Sequence, residues 1–336
     1  MSIAQANDNL LERITYRAPH ERPAPIPWPD GLAPSGTPYG QAADEPLPSA
    51  DVLVVTWTAA EGQALADVLT PGMSSTTWKP YAHGWGSYEP QLTSRSPARE
   101  AGCMGYVAKV NIGGIDVLAV KSELHLATDA ISVPIVALWQ QMISEARPNL
   151  VISTGTAGGV GAATQLGDVF VVTNAKFNCT KDFKDKPWAQ RLFTGPGMHG
   201  GGHTAAFDAL VAPNDGRLRP QVTRPPTLTF GGATGGVETI DYFGFANTTD
   251  SFGIVRDYPD ALTEEMDDAT LPLALDNLSD PPPWCSIRNA SDPQVSSDIG
   301  DLDAQAQWAN EIYKRYGYWT SFGSAIATWA VIANLS

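Results

Sequence analysis

Cysteine is scarce in this sequence. The chain of 336 residues has three cysteines, Cys103, Cys179 and Cys285, which are scattered and show no C-x-x-C spacing. A disulfide framework or a cysteine zinc site needs more cysteines at regular spacings. The pattern therefore predicts three buried free thiols and no bound metal.

Positive charge is also scarce, and long apolar runs are missing. The chain has 21 Lys and Arg residues against 36 Asp and Glu residues, a formal net charge of −15. Such a surface disfavours nucleic acid and anionic membranes as partners, although a local pocket can still bind a small anion. No apolar run reaches the ~18 residues of a membrane-spanning helix. The N-terminal sequence MSIAQANDNLLERITYRAPHERP lacks the apolar core of a secretory signal, so we expect a cytoplasmic protein.

The remaining composition is sufficient for a large core. Hydrophobic residues make up 43% of the chain and charged residues 17%, as in a globular protein. Pro, Gly and Ala are concentrated in residues 1–50, which we interpret as an extended arm on the body or on a partner subunit, with a disordered tail as the alternative. Residues 51–336 form the predicted body, with irregular inserts at about 72–104 and 180–236.

Strand and helix patterns alternate along the body. DVLVVTW is typical of a buried strand and AAEGQALADVL of a helix, while YVAKVNIG and IDVLAVKS predict a hairpin. Helices are predicted over residues 130–146 and 262–276, and two more in the C-terminal sequences AQAQWANEIYKRYG and SFGSAIATWAVIANL. This alternation predicts an α/β fold, a three-layer α/β/α sandwich around a central mixed β-sheet.

Residues 150–172, LVISTGTAGGVGAATQLGDVFVV, are the most informative part of the chain. An apolar run enters the small-residue sequence TGTAGG, and a second apolar run follows a Gly-Asp turn. Small residues at a strand end let a ligand approach backbone N–H groups. The segment resembles the nucleoside phosphorylase/nucleosidase family, which has a Gly-x-Ala-Gly-Gly loop followed by Gly-Asp and a strand. The resemblance implies that Thr156, Ala157 and Gly158 contact a nucleoside.

Glu61 carries the resemblance at the end of the first strand. It lies six residues after Val55, the last apolar residue of that strand. The hydrolytic branch of the family, exemplified by methylthioadenosine/S-adenosylhomocysteine nucleosidase, has a carboxylate at this place that orients and deprotonates water. The alternative is a surface glutamate favourably placed near a helix N-terminus.

Two further segments follow in the family order. Glu265-Met266-Asp267 is similar to the Glu-Met-Glu sequence in which the last carboxylate binds the ribose hydroxyls and Met packs under the sugar. Asp267 keeps the charge on a shorter side chain, and an acidic, solvated helix N-terminus is the alternative. Ser291-Asp292 is similar to the end of the family's Arg-x-x-Ser-Asp, in which the aspartate faces the purine. Here a helix N-cap is the alternative.

A softer match lies upstream at Phe245-Ala246. In the family a phenylalanine there stacks on the purine and the next residue contacts the base edge, and Phe243 is the alternative for this role. Thr58 stands where the hydrolytic branch has the Met that contacts a methylthio group, so the 5′ substituent stays open. The resemblance also implies a homo-oligomer, a dimer or a hexamer, and no cofactor.

Three functions remain open from the sequence. With Asp292 as the general acid and Glu61 activating water, the protein is an N-ribosyl hydrolase acting on a purine nucleoside or a 5′-modified nucleoside. Phosphorylases of the family place arginines in the first strand–helix loop and before the Gly-rich loop, where this chain has TWTAAEG and Ser153. Hydrolysis is therefore favoured. A phosphate-dependent phosphorylase that uses Lys121 or Arg95, and a non-catalytic nucleoside-binding protein, are the alternatives.

Overall fold

The computed structural model describes residues 22–129 and 132–336. The strands in these residues are β1 (Ser35–Thr37), β2 (Val52–Thr56), β3 (Lys79–Tyr81), β4 (Gly105–Ile112), β5 (Ile115–Ser122), β6 (Leu150–Gly159), β7 (Val169–Val172), β8 (Asn174–Asn178), β9 (Leu192–Thr194), β10 (Leu228–Phe230), β11 (Gly236–Ile240), β12 (Ala261–Glu265) and β13 (Trp284–Asp292). The α-helices are α1 (Ala59–Leu69), α2 (Trp85–Tyr88), α3 (Pro97–Ala101), α4 (Pro134–Ala146), α5 (Phe207–Asp215), α6 (Ile254–Asp257), α7 (Thr270–Leu275) and α8 (Leu302–Ala333). None of the helices described has the length and apolar character to cross a membrane.

The strands form one mixed sheet with the main order β1-β4-β5-β2-β6-β12-β11-β8-β9. At its centre β5, β2 and β6 are parallel, and β13 pairs parallel with β6 and antiparallel with β7. β4 and β5 form the predicted hairpin. β12 runs antiparallel to β6 and meets it at Gly158 and Gly159. Because parallel strands have their carboxyl ends at one edge, the segments that follow β2, β5, β6 and β13 converge there.

Helices cover both faces of the sheet. Along β2, Leu53 and Val55 belong to one hydrophobic core and Val52 and Val54 to another, because side chains alternate between the faces of a strand. The first core contains residues of α4 and α7, and the second contains residues of α1 and α8. This arrangement confirms the predicted three-layer α/β/α sandwich with a mixed sheet.

The predicted helix over residues 262–276 is wrong. β12 ends at Glu265, and α7 begins only at Thr270. The acidic residues of this segment favour a helix N-terminus in isolation, but pairing with β6 and β11 draws Glu264 and Glu265 into the sheet, where both are buried. Tertiary pairing overrides the local preference.

Three other boundaries differ from the prediction. The Gly-rich segment is a continuation of β6, because β13 pairs with it as far as Gly158. The two predicted C-terminal helices are one helix of 32 residues, α8. A glycine such as Gly317 costs ~1 kcal/mol inside a helix, and burial of Tyr313 and Tyr318 on either side of it keeps the helix continuous. The helix predicted over 130–146 begins at Pro134, and residues 130–131 lie outside the described ranges.

Residues 22–50 lie against the body. β1 pairs with β4, and the ring of Trp28 is 4.8 Å from that of Trp329. The Trp329 indole N–H donates to the Leu32 carbonyl at 2.8 Å. This part of the predicted arm therefore packs on its own chain, while residues 1–21 lie outside the described residues.

Candidate active site

A cleft opens where β2, β6, β12 and β13 end. Most residues predicted to form the site line it: Glu61, Thr156, Ala157, Gly158, Glu265, Met266, Asp267, Ser291 and Asp292. Phe245 and Ala246 are buried but are not among the lining residues, whereas Phe243 is. The Phe245 ring instead packs edge-on against Phe252, with centroids 4.9 Å apart.

Glu61 is buried at the start of α1, where it also completes the N-cap. Its Oε2 atom accepts hydrogen bonds from the backbone N–H groups of Trp57 at 3.0 Å and Thr58 at 2.8 Å. Its Oε1 atom accepts from the N–H and the hydroxyl of Thr156 at 2.8 and 2.6 Å. Burial, the largest influence, raises its pKa, but the charge of Arg288 and these hydrogen bonds outweigh it and hold the pKa of Glu61 below its usual range. A surface glutamate is thus the wrong interpretation, although the helix N-terminus is real.

Arg288, on β13, is buried and lies close to Glu61. Its Nε–H donates to Oδ2 of Asp268 at 2.8 Å, a second N–H donates to Oδ1 of the same carboxylate, and Nη1–H donates to the Thr156 carbonyl at 3.1 Å. The guanidinium also lies over the Trp57 ring, 4.8 Å from its centroid. Burial lowers the pKa of Arg288, but the charges of Asp268, Glu265 and Glu61 raise it by more than burial lowers it. Arg288 therefore stays a cation.

Two glycines of β6 give these side chains their space. A Cβ atom on Gly155 would lie 2.6 Å from Oε1 of Glu61 and 2.8 Å from Nη1 of Arg288. A Cβ atom on Gly158 would overlap with Oε1 of Glu264 and would lie 3.4 Å from Oδ2 of Asp292. Glycine is therefore needed at both positions for carboxylates to approach the strand, as well as for a ligand to do so.

Asp292 is the last residue of β13 and is buried in the cleft wall. The hydroxyl of Ser291 hydrogen-bonds to its Oδ1 atom at 2.9 Å and is 3.2 Å from the Ala157 carbonyl. Glu264 approaches from β12 over Gly158. The next helical turn begins at Ser297 and has Ser296 as its cap, so the interpretation of Asp292 as a helix cap is wrong.

The Glu265-Met266-Asp267 segment leaves the end of β12. Glu265 accepts from the Thr239 hydroxyl at 2.5 Å and from the Asp267 N–H at 2.6 Å, and burial together with the charge of Asp268 raises its pKa to about 8. Oδ1 of Asp267 accepts from the Leu126 N–H at 2.8 Å. All the acidic side chains of this segment are buried, so a solvated helix N-terminus is the wrong interpretation.

No protein-family model matches the sequence. The chain is similar in structure to 5′-methylthioadenosine/S-adenosylhomocysteine nucleosidase from Neisseria meningitidis, with 16% identity and a TM-score of 0.50 over 84% of this chain and 99% of that one. The enzyme of the same name from Helicobacter pylori has 13% identity and a TM-score of 0.51 over 84% of this chain and 98% of its own. S-adenosylhomocysteine nucleosidase from Streptococcus pyogenes has 16% identity and a TM-score of 0.50 over 86% of this chain and 99% of its own. The chain has the nucleoside phosphorylase fold. This confirms the fold that the sequence segments imply.

Within the nucleoside phosphorylase fold, several cleft residues are not predicted by the sequence. They are Trp57, His125, Glu264 and Tyr313. Glu264 falls within the helix wrongly predicted over residues 262–276, so the sequence does not identify it as a cleft residue. His125 follows β5, whose carboxyl end shares the sheet edge with β2, and this position is a signal that could identify it. Tyr313 belongs to α8 and donates a hydrogen bond from its hydroxyl to Thr58 at 3.1 Å.

Carboxyl groups dominate the cleft. Those that line it are Glu61, Glu264, Glu265, Asp267 and Asp292. Among the described lining residues, Arg288 is the one permanent cation, and it is already paired with Asp268. Neither Lys121 nor Arg95 is among these lining residues, and Lys121 pairs with Glu123 at 2.5 Å. In residues 22–129 and 132–336, no group of three or more His, Cys, Asp or Glu side chains is arranged to hold a metal ion.

Proposed function

We propose that the protein is an N-ribosyl hydrolase, a nucleosidase that uses water to cleave the N-glycosidic bond of a purine nucleoside or a 5′-modified nucleoside. The observation that carries the proposal is that Glu61 and Asp292 line one cleft in opposite surroundings. Glu61 is held ionised by donors and a nearby cation, whereas Asp292 lies beside a second carboxylate. A hydrolase of this type needs one ionised carboxylate and one carboxylic acid.

The reaction assigns one proton transfer to each of these groups. As the C1′–N9 bond breaks, the bonding electron pair goes to the purine and Asp292 gives its proton to N7. Positive charge develops on the sugar, as in other glycosidic cleavages. The water oxygen then forms a bond to C1′, and its proton goes to Glu61. Solvent returns the proton from Glu61 to Asp292 and completes the cycle.

The surroundings of Glu61 fit this role. Its lowered pKa keeps it ionised at neutral pH, so it stabilises the positive charge on the sugar. It takes the water proton only as the new C–O bond forms, when the oxygen has become acidic. The Thr156 hydroxyl, 2.6 Å from Oε1, can rotate and leave this lone pair to the water. Asp267, which also lines the cleft, is the candidate ligand of the sugar hydroxyls.

The charge of the cleft favours water over phosphate. A phosphate dianion would lie among several carboxyl groups, and Arg288 is already neutralised by Asp268. Each ionised carboxylate at 4 Å repels a unit negative charge by about 1–4 kcal/mol for effective dielectric constants of 80 to 20. Phosphorylases bind phosphate with unpaired arginines in bidentate geometry. Phosphorolysis remains the second candidate function, and nucleoside binding without catalysis the third.

A panel of nucleosides tests the proposal. Adenosine, inosine and 5′-methylthioadenosine are incubated with the protein, with and without phosphate, and the free base and the sugar product are identified by chromatography. We expect free base and a reducing sugar at the same rate without phosphate. In water enriched in ¹⁸O, the label should appear on the anomeric hydroxyl of the sugar.

The other outcomes identify the alternatives. Ribose 1-phosphate formed only in the presence of phosphate establishes a phosphorylase. Saturable binding of a nucleoside with no product under either condition establishes a binding protein. The variant Asp298→Asn, which changes an exposed carboxylate after the cleft segment, is the control for a general loss of charge.

A further inference from the structure

His125 lies in the cleft beside Asp267 and has an unusual environment. Its side chain is 3% exposed and follows β5 at the sheet edge where the cleft opens. Its Nδ1 atom is 3.5 Å from Oδ2 of Asp267, and both residues line the cleft. Its Nε2 atom is buried and has no hydrogen-bond partner. Buried polar atoms without a partner are rare and require an explanation.

The isolation of Nε2 determines which ring nitrogen carries the proton. A buried N–H group without an acceptor is costly, whereas an unprotonated ring nitrogen tolerates such a place better. The neutral imidazole of His125 therefore holds its proton on Nδ1. Nδ1 lies 3.5 Å from Oδ2 of Asp267, so a donor and an acceptor lie side by side in the cleft wall.

Backbone hydrogen bonds hold both partners in place. The Leu126 N–H donates to Oδ1 of Asp267 at 2.8 Å, and the His125 N–H donates to Oδ2 of Asp129 at 2.7 Å. Oδ2 of Asp267 is thus the oxygen that faces the imidazole. Direct hydrogen bonds usually measure about 2.7–3.2 Å, so the separation of 3.5 Å leaves both groups able to bind a ligand.

We propose that His125 is a specificity-determining residue that, together with Asp267, binds the 2′- or the 3′-hydroxyl group of the sugar. A hydroxyl group can donate its proton to Oδ2 of Asp267 and accept the Nδ1–H of His125 at the same time. A hydrogen atom or a methoxy group in its place cannot do both. The inference rests on the proposed function, because it requires that the cleft bind a nucleoside. It makes the protein selective for ribose over a deoxy sugar.

Two substitutions separate the hydrogen bond from the packing of the ring. His125→Leu keeps much of the volume and removes the donor, whereas the amide of His125→Asn places an N–H group near the former Nδ1. Values of kcat/KM are measured for adenosine and for its 2′-, 3′- and 5′-deoxy analogues. We expect His125→Leu to lower kcat/KM on adenosine about tenfold, the effect of one hydrogen bond lost without replacement. One of the two analogues, the 2′- or the 3′-deoxy one, lacks the bound hydroxyl, and on that analogue His125→Leu should have little effect. His125→Asn should restore the discrimination between adenosine and that analogue.

Other results overturn the inference. An equal loss on all four nucleosides makes His125 a structural residue, and a loss that disappears only for the 5′-deoxy analogue places the bound hydroxyl at the 5′ end. If the wild-type protein releases no base, the proposed function has failed, and equilibrium dissociation constants of the same four nucleosides then test His125 separately. Circular dichroism checks the folding of His125→Leu. If that variant unfolds, His125→Gln, whose amide extends towards the former Nε2, replaces it.

Discussion

Glu61 and Asp292 line the same cleft, but their surroundings are opposite in character. Glu61 follows β2, accepts hydrogen bonds from Trp57, Thr58 and Thr156, and lies near the charge of Arg288. Asp292 ends β13, hydrogen-bonds to the neighbouring Ser291 hydroxyl, and faces another carboxylate across Gly158. Donors and a cation stabilise a negative charge, whereas a second carboxylate disfavours it.

The two surroundings together support the roles proposed for Glu61 and Asp292. A carboxylate surrounded by donors is a poor acid, whereas a neighbouring carboxylate favours the protonated form of an acid. The same strand, β6, contributes to both surroundings, because Gly155 leaves space for Glu61 and Gly158 leaves space for Glu264 beside Asp292. Substitutions that make the two surroundings alike should therefore abolish the difference in role.

The largest expected effect follows from Asp292→Asn. The amide cannot deliver a proton to N7, so kcat on an unactivated purine nucleoside should fall about 10²–10⁴-fold, the usual contribution of a general acid. Substrate binding should weaken less, because the amide can still hydrogen-bond to the base. The loss should shrink on a riboside with a better leaving group, such as p-nitrophenyl riboside. Near-wild-type kcat on adenosine would falsify the assignment, and Asp298→Asn is the matched control.

Glu61→Gln tests the other side of the comparison and should have a smaller effect on kcat, about 10²-fold. The low pKa of Glu61 makes it a weak base, so it has less proton affinity to lose. The amide group also offers one acceptor oxygen where the carboxylate offers two, so donors at one end lose their partner. We expect a decrease of about 1–3 kcal/mol in the free energy of unfolding at pH 7.

The pH dependence of that stability loss gives an independent check. A carboxylate whose pKa is lowered on folding contributes stability above its unfolded pKa, and the contribution is lost as pH falls through the folded pKa. The difference between wild type and Glu61→Gln in urea denaturation should therefore be full at pH 7 and shrink in acid. A difference that is constant from pH 7 to pH 3 contradicts the ionised state assigned to Glu61.

The sequence predicts the parts of this site that depend on strand ends and misses those that depend on tertiary pairing. The apolar runs of β2, β5, β6 and β13 indicate buried strands whatever their neighbours, so Glu61 and Asp292 can be located from local pattern and family resemblance. Glu264 cannot, because its acidic segment favours a helix until β6 and β11 pair with it. His125 belongs to no recognised segment, and only the order of strands in the sheet brings it to Asp267.

Asp268→Asn sharpens the comparison through Arg288. Asp268 neutralises the guanidinium and also accepts hydrogen bonds from the Ser153 and Ser286 hydroxyls. Removing its charge leaves a buried cation less well compensated, which should lower the free energy of unfolding by roughly 3 kcal/mol. Arg288 should then attract anions, so phosphate should inhibit the variant about three- to tenfold more strongly than wild type. Unchanged inhibition constants mean that the Arg288–Asp268 pair does not exclude phosphate.

The smallest expected effect extends the comparison to Glu238, a carboxylate that does not line the cleft. Glu238 is buried on β11, neither of its oxygens accepts a well-formed hydrogen bond, and burial raises its pKa to about 8 although Lys176 lies 3.9 Å away. Between its ordinary pKa and pH 8 the unfolded chain loses this proton while the folded protein keeps it, so the residue lowers stability as pH rises.

Glu238→Gln has no proton to lose. It should therefore be more stable than wild type at pH 8, on the order of 2 kcal/mol, and the gain should shrink towards pH 5. Thermal unfolding at both pH values measures this, with the exposed Glu100→Gln as the control. A gain of equal size at both pH values would mean that Glu238 is ionised in the folded protein, and that burial with few donors is not enough to keep a carboxylic acid protonated in this fold.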